Sequence, residues 1–325
     1  MPPPPRRFAQ TCLALIAALA LAACATAAPE REHVAIERDI PYGEGSRHRL
    51  DLYRPLGPGG EARPLIVFFH GGQWQMGEKG SLENQVLASG LAARGAVVAV
   101  PDYRLYPETR FPGFLEDAAA AVAWARRQAP RLGADPEGLF VAGHSAGGYI
   151  ALMLALDGRW LAPHGLGGRD LAGAIGIAGP YAGDFPRHWA VRPVFAGEAD
   201  LASLLPESYA SAGAPPLLLL SGTMDLVTGP SHLRAMARRV AEAGGEVETR
   251  LYPAIGHLDI LMSLPWLPSL APTTEDVMAF AARRTERRLA ARRGLPASGP
   301  ARLATLRPGD ATAGSDPQVE QRAAR

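Results

Sequence analysis

Short, continuous runs of apolar residues alternate with longer amphipathic stretches along most of the chain. Runs such as Leu65–Phe69 and Leu217–Leu220 have the length of a strand and contain no polar position, which is typical of strands buried on both faces of a sheet. The pattern of Leu115–Gln128 instead gathers its apolar residues on one face of a helix. Because such strands and helices alternate, we predict one α/β domain over residues 34–293, with a mostly parallel sheet covered by helices on both faces.

The same reading predicts the other elements of this domain. The first two strands alternate apolar and polar positions, so we expect them to form a half-buried antiparallel pair. We expect Ser231 to cap one helix and Gly244 to end it, and Thr273 or Thr274 to cap the last helix. The further predicted strands are Val34–Ile40, His48–Tyr53, Ala96–Val100, Leu139–Ala142, Ala174–Ala178 and Val247–Tyr252, and the further helices are Ala146–Leu156, Ser231–Ala243 and Thr274–Arg293.

Composition and charge narrow the class of protein. The 325 residues carry 33 Lys and Arg against 32 Asp and Glu, a net charge of +1, and 47% of them are hydrophobic. This composition excludes a largely disordered chain. It also argues against a nucleic-acid partner, because phosphate binding needs a basic surface. The only two cysteines, Cys12 and Cys24, lie near the N-terminus, so the predicted domain has no disulfide, thiol nucleophile or Cys-ligated metal.

The N-terminal residues are predicted to direct export. Arg6 and Arg7 precede an apolar run, Cys12–Ala23, that is shorter than the roughly 20 residues of a membrane-spanning helix and has the length of a signal peptide. The run ends in L-A-A-C at Leu21–Cys24, which resembles the lipobox of bacterial lipoproteins. That resemblance implies a signal peptide over residues 1–23, a lipid on Cys24 and a tether over residues 24–33. The alternative is an ordinary signal peptide cut near the same place.

By this resemblance the protein is exported and anchored to a membrane, facing the periplasm or the exterior. At the other end, residues 294–325 are rich in Pro, Gly, Ala and Ser, and we predict a disordered tail. From Arg283 onward there are ten Arg and four acidic residues. We interpret this excess as a solvated helix face with its tail, and the alternative is a weak contact with anionic lipid or polymer.

The first candidate for chemistry is the G-x-S-x-G pattern Gly143–Gly147. An apolar strand precedes it and a helix follows it, which is the context that places a Ser on a sharp turn with an exposed hydroxyl. We therefore predict that Ser145 is a nucleophile. The helix that follows would direct its N-terminal N–H groups toward developing negative charge.

A serine nucleophile needs a base, and the base needs an acid to orient it. His257 follows the last predicted strand, and Asp225 follows the run Leu217–Leu220, in the chain order Ser, acid, His. We predict these two residues as base and acid. The competing residues are less well placed by the pattern: His70, His144 and His232 among the histidines, and Asp184, Asp200 and Asp259 among the acids.

The sequence H-G-G-Q-W at His70–Trp74 follows a buried strand and lies upstream of Ser145. Two glycines there would let the backbone approach a substrate closely. We predict an oxyanion hole formed by the backbone N–H groups of Gly72, Gln73 and Ala146.

Taken in order, H-G-G-Q-W, P-D-Y-R-L-Y-P-E at Pro101–Glu108, G-H-S-A-G, G-T-M-D and G-H resemble the α/β-hydrolase superfamily. The chain is similar to the hormone-sensitive-lipase-related esterases, and most of all to the feruloyl-esterase-like and kynurenine-formamidase-like group with H-G-G-x-W. This resemblance covers roughly residues 34–292 and implies an eight-stranded, mostly parallel sheet and ester hydrolysis without a cofactor or metal. Two departures stand out: Gln73 replaces a third Gly, and Thr228-Gly229 stands where a Val-Pro pair is common after the acid.

The long connection over residues 179–215 carries several aromatic residues. It is either a small packed excursion or part of a substrate pocket, and in the second case Trp74 and Tyr181 would line that pocket. An aromatic cleft favours a short acyl or aryl ester as the small-molecule substrate. An arylformamidase or amidase would use the same residues, and a non-catalytic binding protein would share the fold. The sequence does not define an oligomeric state.

Overall fold

The computed structural model describes residues 34–57, 63–198, 200–262 and 271–294 of the chain. Its centre is an eight-stranded sheet. The strands are β1 (Val34–Pro41), β2 (Arg49–Pro55), β3 (Leu65–Phe69), β4 (Val97–Pro101), β5 (Leu139–His144), β6 (Gly173–Ile177), β7 (Leu217–Gly222) and β8 (Val247–Tyr252). They lie in the order β1-β2-β4-β3-β5-β6-β7-β8. Strand β2 is antiparallel to both of its neighbours, and the other neighbouring pairs are parallel, so the predicted fold class is confirmed.

Helices cover both faces of this sheet. They are α1 (Leu82–Ala93), α2 (Gly113–Gln128), α3 (Ala146–Leu156), α4 (Gly229–Glu242), α5 (Asp259–Met262) and α6 (Thr273–Arg292). Alternate residues of a strand point to opposite faces, so β3 sends Val67 and Phe69 toward α2, α3 and α4, and Ile66 and Phe68 toward α1, α5 and α6. The central strands are therefore apolar at every position because both of their faces are buried.

Two local predictions were wrong and one helix was not predicted, and each difference has a physical reason. Helix α1 was not predicted: most of its residues are buried, including Asn84 and Ser89, so it lacks a clear polar face. Helix α4 begins at Gly229, with Thr228 and not Ser231 in the N-cap position, because Pro230 favours the first turn of a helix. Thr273 and Thr274 lie buried inside the first turn of α6 and do not cap it. Gly244 follows α4 in a left-handed conformation (φ 77°), as predicted.

The predicted signal peptide, the lipidated Cys24, the tether and the tail lie outside the described residues. Within the described ranges, no helix is both long and apolar enough to cross a bilayer. The Arg-rich helix α6 directs several arginines at acids of its own domain: Arg283 pairs with Glu248 at 2.8 Å and Arg284 with Glu246 at 2.7 Å. The charges of these two arginines are therefore used in contacts within the domain.

Candidate active site

Ser145 occupies the sharp turn between β5 and α3. Its backbone has φ 54° and ψ −119°, a conformation that costs free energy in a residue other than glycine. The surrounding structure maintains this conformation, since the N–H of Ser145 donates to the carbonyl of Ile177 at the end of β6 (2.9 Å). The turn presents the side chain at the carboxyl edge of the sheet, as the sequence context predicts.

The two glycines of the motif are required by close approach. A Cβ atom on Gly143 would lie 2.2 Å from the carbonyl oxygen of Gly147, and a Cβ on Gly147 would lie 2.0 Å from the carbonyl oxygen of Phe69. Strand β5 and helix α3 therefore meet at a separation that only glycine permits, which explains the G-x-S-x-G spacing.

The structure brings His257 and Asp225 to Ser145. The Nε2 atom of His257 lies 3.0 Å from Ser145 Oγ, and its Nδ1 lies 3.0 Å from Asp225 Oδ2. A carboxylate can only accept, so Nδ1–H donates to Asp225, and in this tautomer the lone pair of Nε2 is directed at the hydroxyl. The three side chains come from loops after β5, β7 and β8, and they form one continuous hydrogen-bonded chain.

The carboxylate of Asp225 is buried but well supplied with donors. Its Oδ1 accepts from the N–H groups of Val227 (2.9 Å) and Thr228 (3.0 Å), and its Oδ2 accepts from His257 and from the Thr228 hydroxyl (2.8 Å). Burial alone would raise the pKa of Asp225, but the hydrogen bonds from His257 and Thr228 outweigh it and hold this pKa well below its ordinary value. The group is therefore an anion at neutral pH.

The competing acids lie in their own turns. Asp259 Oδ2 accepts from the N–H of Gly256 (3.1 Å), and Asp200 Oδ1 accepts from the N–H of Ala202 (3.0 Å). Asp184 precedes a short 3₁₀ turn. Asp259 and Asp200 thus bind local backbone, the side chain of Asp184 makes no capping hydrogen bond to its turn, and Asp225 is the acid that contacts the base.

The competing histidines also have other partners. His144 is buried, and its Nε2 donates to the carbonyl of His257 at 3.0 Å. Burial, with a smaller effect of the adjacent His257 ring, lowers the pKa of His144 to about 3, so it stays neutral. His70 contacts the carbonyl of Gly71 (2.7 Å). His232 is half-buried, and its Nδ1 accepts from two N–H groups of the 179–215 segment.

The loop after β3 makes a tight turn beside the nucleophile. Three successive residues, Gly72, Gln73 and Trp74, have positive φ values of 117°, 55° and 59°. A Cβ atom on Gly72 would lie 2.1 Å from the carbonyl oxygen of Met76, so only glycine fits there. A Cβ on Gly71 would lie 3.3 Å from Ser145 Cβ, which shows how closely this loop passes the nucleophile.

Two residues that support this loop, Tyr103 and Asp102, were not identified from the sequence as part of the site. The ring of Tyr103 stacks on His70 with centroids 4.4 Å apart, and its hydroxyl donates to the carbonyl of His70 (2.9 Å). Asp102 accepts from the N–H of Lys79 (2.7 Å) and lies 3.5 Å from His70 Nε2. These contacts fix the start and the end of the loop. The signal was the sequence D-Y-R directly after β4, which is part of the motif P-D-Y-R-L-Y-P-E in the family resemblance.

The two predicted pocket residues lie beneath the surface and do not line an open cleft. Trp74 is buried among aromatic rings, with Phe195 at 5.0 Å, Tyr149 at 5.1 Å and Phe185 at 6.2 Å between centroids. Tyr181 is also buried, and its hydroxyl accepts from the N–H of Gly179 (3.1 Å). Trp74 and Tyr181 thus belong to the buried core, whereas Trp189 of the 179–215 segment is 80% exposed.

Exposed apolar side chains surround the triad instead. Leu226 is 91% exposed, and Met224, Val227 and Leu258 are each more than half exposed. Their two loops are joined by a hydrogen bond from the N–H of Met224 to the carbonyl of Ile255 (2.9 Å). A group of exposed apolar residues at one place is typical of a binding surface. Among the described residues, no group of three or more His, Cys, Asp or Glu side chains is arranged to hold a metal ion.

Comparison with known proteins agrees with this geometry. A family model described as the α/β-hydrolase fold matches residues 66–167. A probable isoprenylcysteine α-carbonyl methylesterase of Oryza sativa subsp. japonica is 30% identical over 251 residues, which cover 70% of this chain and 58% of the relative. Esterase LipQ of Mycobacterium tuberculosis is 29% identical over 237 residues, covering 66% of this chain and 55% of the relative.

Among solved structures, esterase B from Lactobacillus rhamnosis superimposes with a TM-score of 0.69 at 20% identity, covering 89% of this chain and all of that one. The strand order, the serine turn and these matches together identify the chain as a member of the α/β-hydrolase superfamily. The chain spans between 55% and 63% of the length of the first four curated relatives it matches.

Proposed function

We propose that the protein is a serine hydrolase that cleaves carboxylic esters through an acyl-enzyme on Ser145. The observation that carries this proposal is the pair of 3.0 Å contacts that joins Ser145, His257 and Asp225. That the similar curated relatives are named esterases supports the same reaction class.

In the first half of the reaction, His257 Nε2 takes the proton of the Ser145 hydroxyl as Oγ attacks the ester carbonyl carbon. The resulting imidazolium is stabilised by the anionic Asp225, which keeps the ring oriented through Nδ1. Collapse of the tetrahedral intermediate breaks the bond to the alcohol oxygen, and His257 returns the proton to the leaving alcohol. In the second half, His257 deprotonates a water molecule that attacks the acyl-enzyme and releases the acid.

The negative oxygen of each intermediate needs hydrogen-bond donors. We assign this role to the backbone N–H groups of Gly72, Gln73 and Ala146. The tight turn at Gly72 and Gln73 passes beside Ser145, and Ala146 is the first residue of α3, where N–H groups lack intrahelical partners. Donors fixed in this way stabilise charge without reorganising during the reaction.

We propose short acyl or aryl esters as the substrates. The exposed apolar residues on the acid and histidine loops favour an apolar ester over a highly charged one.

Labelling and substrate tests examine this function. We expect a fluorophosphonate probe to modify the purified full chain at Ser145, Ser145→Ala to abolish labelling, and the exposed control Ser231→Ala to label normally. We expect nitrophenyl esters of short acids to be hydrolysed faster than aryl formamides or feruloyl esters. Absence of an adduct on Ser145 would contradict the enzyme proposal, and preference for formamides would change the substrate class while keeping the triad.

We also propose export with a lipid on Cys24, from the resemblance of Leu21–Cys24 to a lipobox. Mass spectrometry of protein isolated from its native host tests this. We expect the N-terminus at a modified Cys24, and a Cys24→Ala variant released from the membrane fraction. An unmodified N-terminus at or beyond residue 24 would instead indicate an ordinary signal peptide.

A further inference from the structure

Thr228 holds the N-cap position of α4, but its side chain makes no capping hydrogen bond. Threonine is favoured at this position because its oxygen can accept from an N–H of the first helical turn, an interaction worth roughly 1 kcal/mol. Here that usual reason for the residue is missing. The side chain also has no packing reason to carry a hydroxyl, since Val has nearly the same shape. The position of the Thr228 hydroxyl must therefore be explained by its other contacts.

Those contacts are with the acid of the triad and with the neighbouring strand. The Thr228 Oγ1 atom lies 2.8 Å from Asp225 Oδ2 and 3.0 Å from the carbonyl oxygen of Ala178. A hydroxyl has one proton and can donate to only one of these oxygens at a time. Donation to the carboxylate is favoured because hydrogen bonds to ionised groups are shorter and stronger. The Ala178 carbonyl is the alternative acceptor and limits rotation of the side chain.

With this donor, the carboxylate of Asp225 accepts four hydrogen bonds, two at each oxygen. A carboxylate has about four acceptor sites, so its capacity is filled. The hydroxyl of Thr228 shares Oδ2 with Nδ1 of His257, whereas the two backbone N–H groups bind Oδ1. The hydroxyl is thus the donor that acts on the oxygen facing the base.

Strand β6 connects this hydroxyl to the nucleophile. The carbonyl of Ile177, its last residue, accepts from the N–H of Ser145, and the carbonyl of Ala178, the next residue, contacts Thr228 Oγ1. Two successive carbonyls thus bind the nucleophile turn and the acid loop. A shift of Thr228 would move the acid relative to the serine.

We propose that Thr228 is a positioning residue that holds Oδ2 of Asp225 toward His257 and limits how strongly this carboxylate binds the imidazolium. The inference rests on the proposed function of the triad.

The proposal predicts a particular pattern of kinetic changes. Without the hydroxyl, more negative charge on Oδ2 faces His257, so the protonated ring is stabilised and the acid limb of the pH profile moves to higher pH by about half a unit. The looser carboxylate also orients the ring less well, and we expect kcat to fall roughly tenfold. KM stays unchanged because the hydroxyl faces the acid and not the substrate.

The experiment compares Thr228→Val, Thr228→Ala and Thr228→Ser in the full chain, with Ser231→Ala as a matched loss of a hydroxyl from the first turn of the same helix. We measure kcat, KM and the pH profile with a nitrophenyl ester, together with the melting temperature. We expect Val and Ala to show both changes, and Ser and the Ser231→Ala control to resemble the wild type. If Thr228→Val does not fold, the comparison of Ala with Ser provides the same test.

The outcomes separate this inference from the function beneath it. An inactive wild type that no fluorophosphonate labels would refute the esterase proposal itself. An active wild type whose Val and Ala variants keep its kcat and its acid limb would refute the role of Thr228 alone. A loss of kcat in Thr228→Ser equal to that in Thr228→Ala would also refute it, since Ser retains the hydroxyl.

Discussion

The buried His144 should make the protein lose stability as the pH falls, and its replacement should remove part of that loss. In the folded protein the pKa of His144 is lowered to about 3, mainly by burial, whereas an unfolded chain has the ordinary value near 6.5. Between these values the unfolded state binds a proton that the folded state does not. Stability therefore increases with pH in this window and is lost as the pH falls from about 6.5 toward 3.

The size of the effect follows from the same two values. At pH 5 the unfolded chain is mostly protonated at this residue and the folded protein is not, which lowers the free energy of unfolding by about 2 kcal/mol relative to neutral pH. His144→Gln removes the titration and keeps an amide that can donate to the carbonyl of His257, as Nε2 does now. His164 is exposed, so His164→Gln is the matched control.

Urea denaturation of the three proteins at pH 7.5 and at pH 5.0 provides the measurement. We expect His144→Gln to lose about 2 kcal/mol less than the wild type between the two pH values, and His164→Gln to behave like the wild type. The reasoning is refuted if the difference between wild type and His144→Gln is the same at both pH values. In that case His144 would already be charged in the folded protein or accessible to solvent.

Four further predictions concern the site and the core. Ser145→Ala should abolish ester turnover with little change in melting temperature, and a variant that keeps most of its activity would exclude Ser145 as nucleophile. Asp225→Asn should lower kcat by a factor on the order of 10⁴, because the amide selects the wrong imidazole tautomer, measured as initial rates at neutral pH. Gly147→Ala should unfold the protein or lower its melting temperature strongly, since its Cβ would lie 2.0 Å from a backbone oxygen, whereas Gly158→Ala, with open space around it, should melt like the wild type. Trp74→Ala should cost about 3–5 kcal/mol in urea denaturation, since its buried ring leaves a cavity.

Continuous apolar runs made the sheet predictable. Segments such as Leu65–Phe69 are apolar at every position because helices cover both faces of the sheet, and their short length distinguishes them from buried helices. Helix α1 could not be predicted from its pattern of apolar and polar residues. Packing between the sheet and α6 buries most of its surface, so the alternation that marks a surface helix is weak.

The residues of the triad could be proposed from their places after strands, because parallel strands end at one edge. Contacts between distant loops could not be proposed in this way. The burial of Trp74 and Tyr181 depends on how the 179–215 excursion packs, and an aromatic residue has the same sequence signal in a pocket wall and in a core. In the sequence, Thr228 stands out only because Thr228-Gly229 occupies the place of a common Val-Pro pair. The role of its hydroxyl could be inferred only from the structure, which places Asp225 Oδ2 and the Ala178 carbonyl beside it.

Strand β1 enters the sheet at the edge opposite the triad. Pro41, the last residue of β1, pairs with Arg49 of β2, and the next residue of β2, Leu50, lies opposite Pro101 at the carboxyl end of β4. Pro41 is therefore at the carboxyl edge of the sheet. Val34, at the other end of this eight-residue strand, lies at the amino edge, about 25 Å from Pro41. Nine residues lie between Cys24 and Val34, and the ten steps between their Cα atoms reach at most about 35 Å. A lipid on Cys24 would thus attach to the body from the amino edge of the sheet, whereas Ser145 lies at the carboxyl edge.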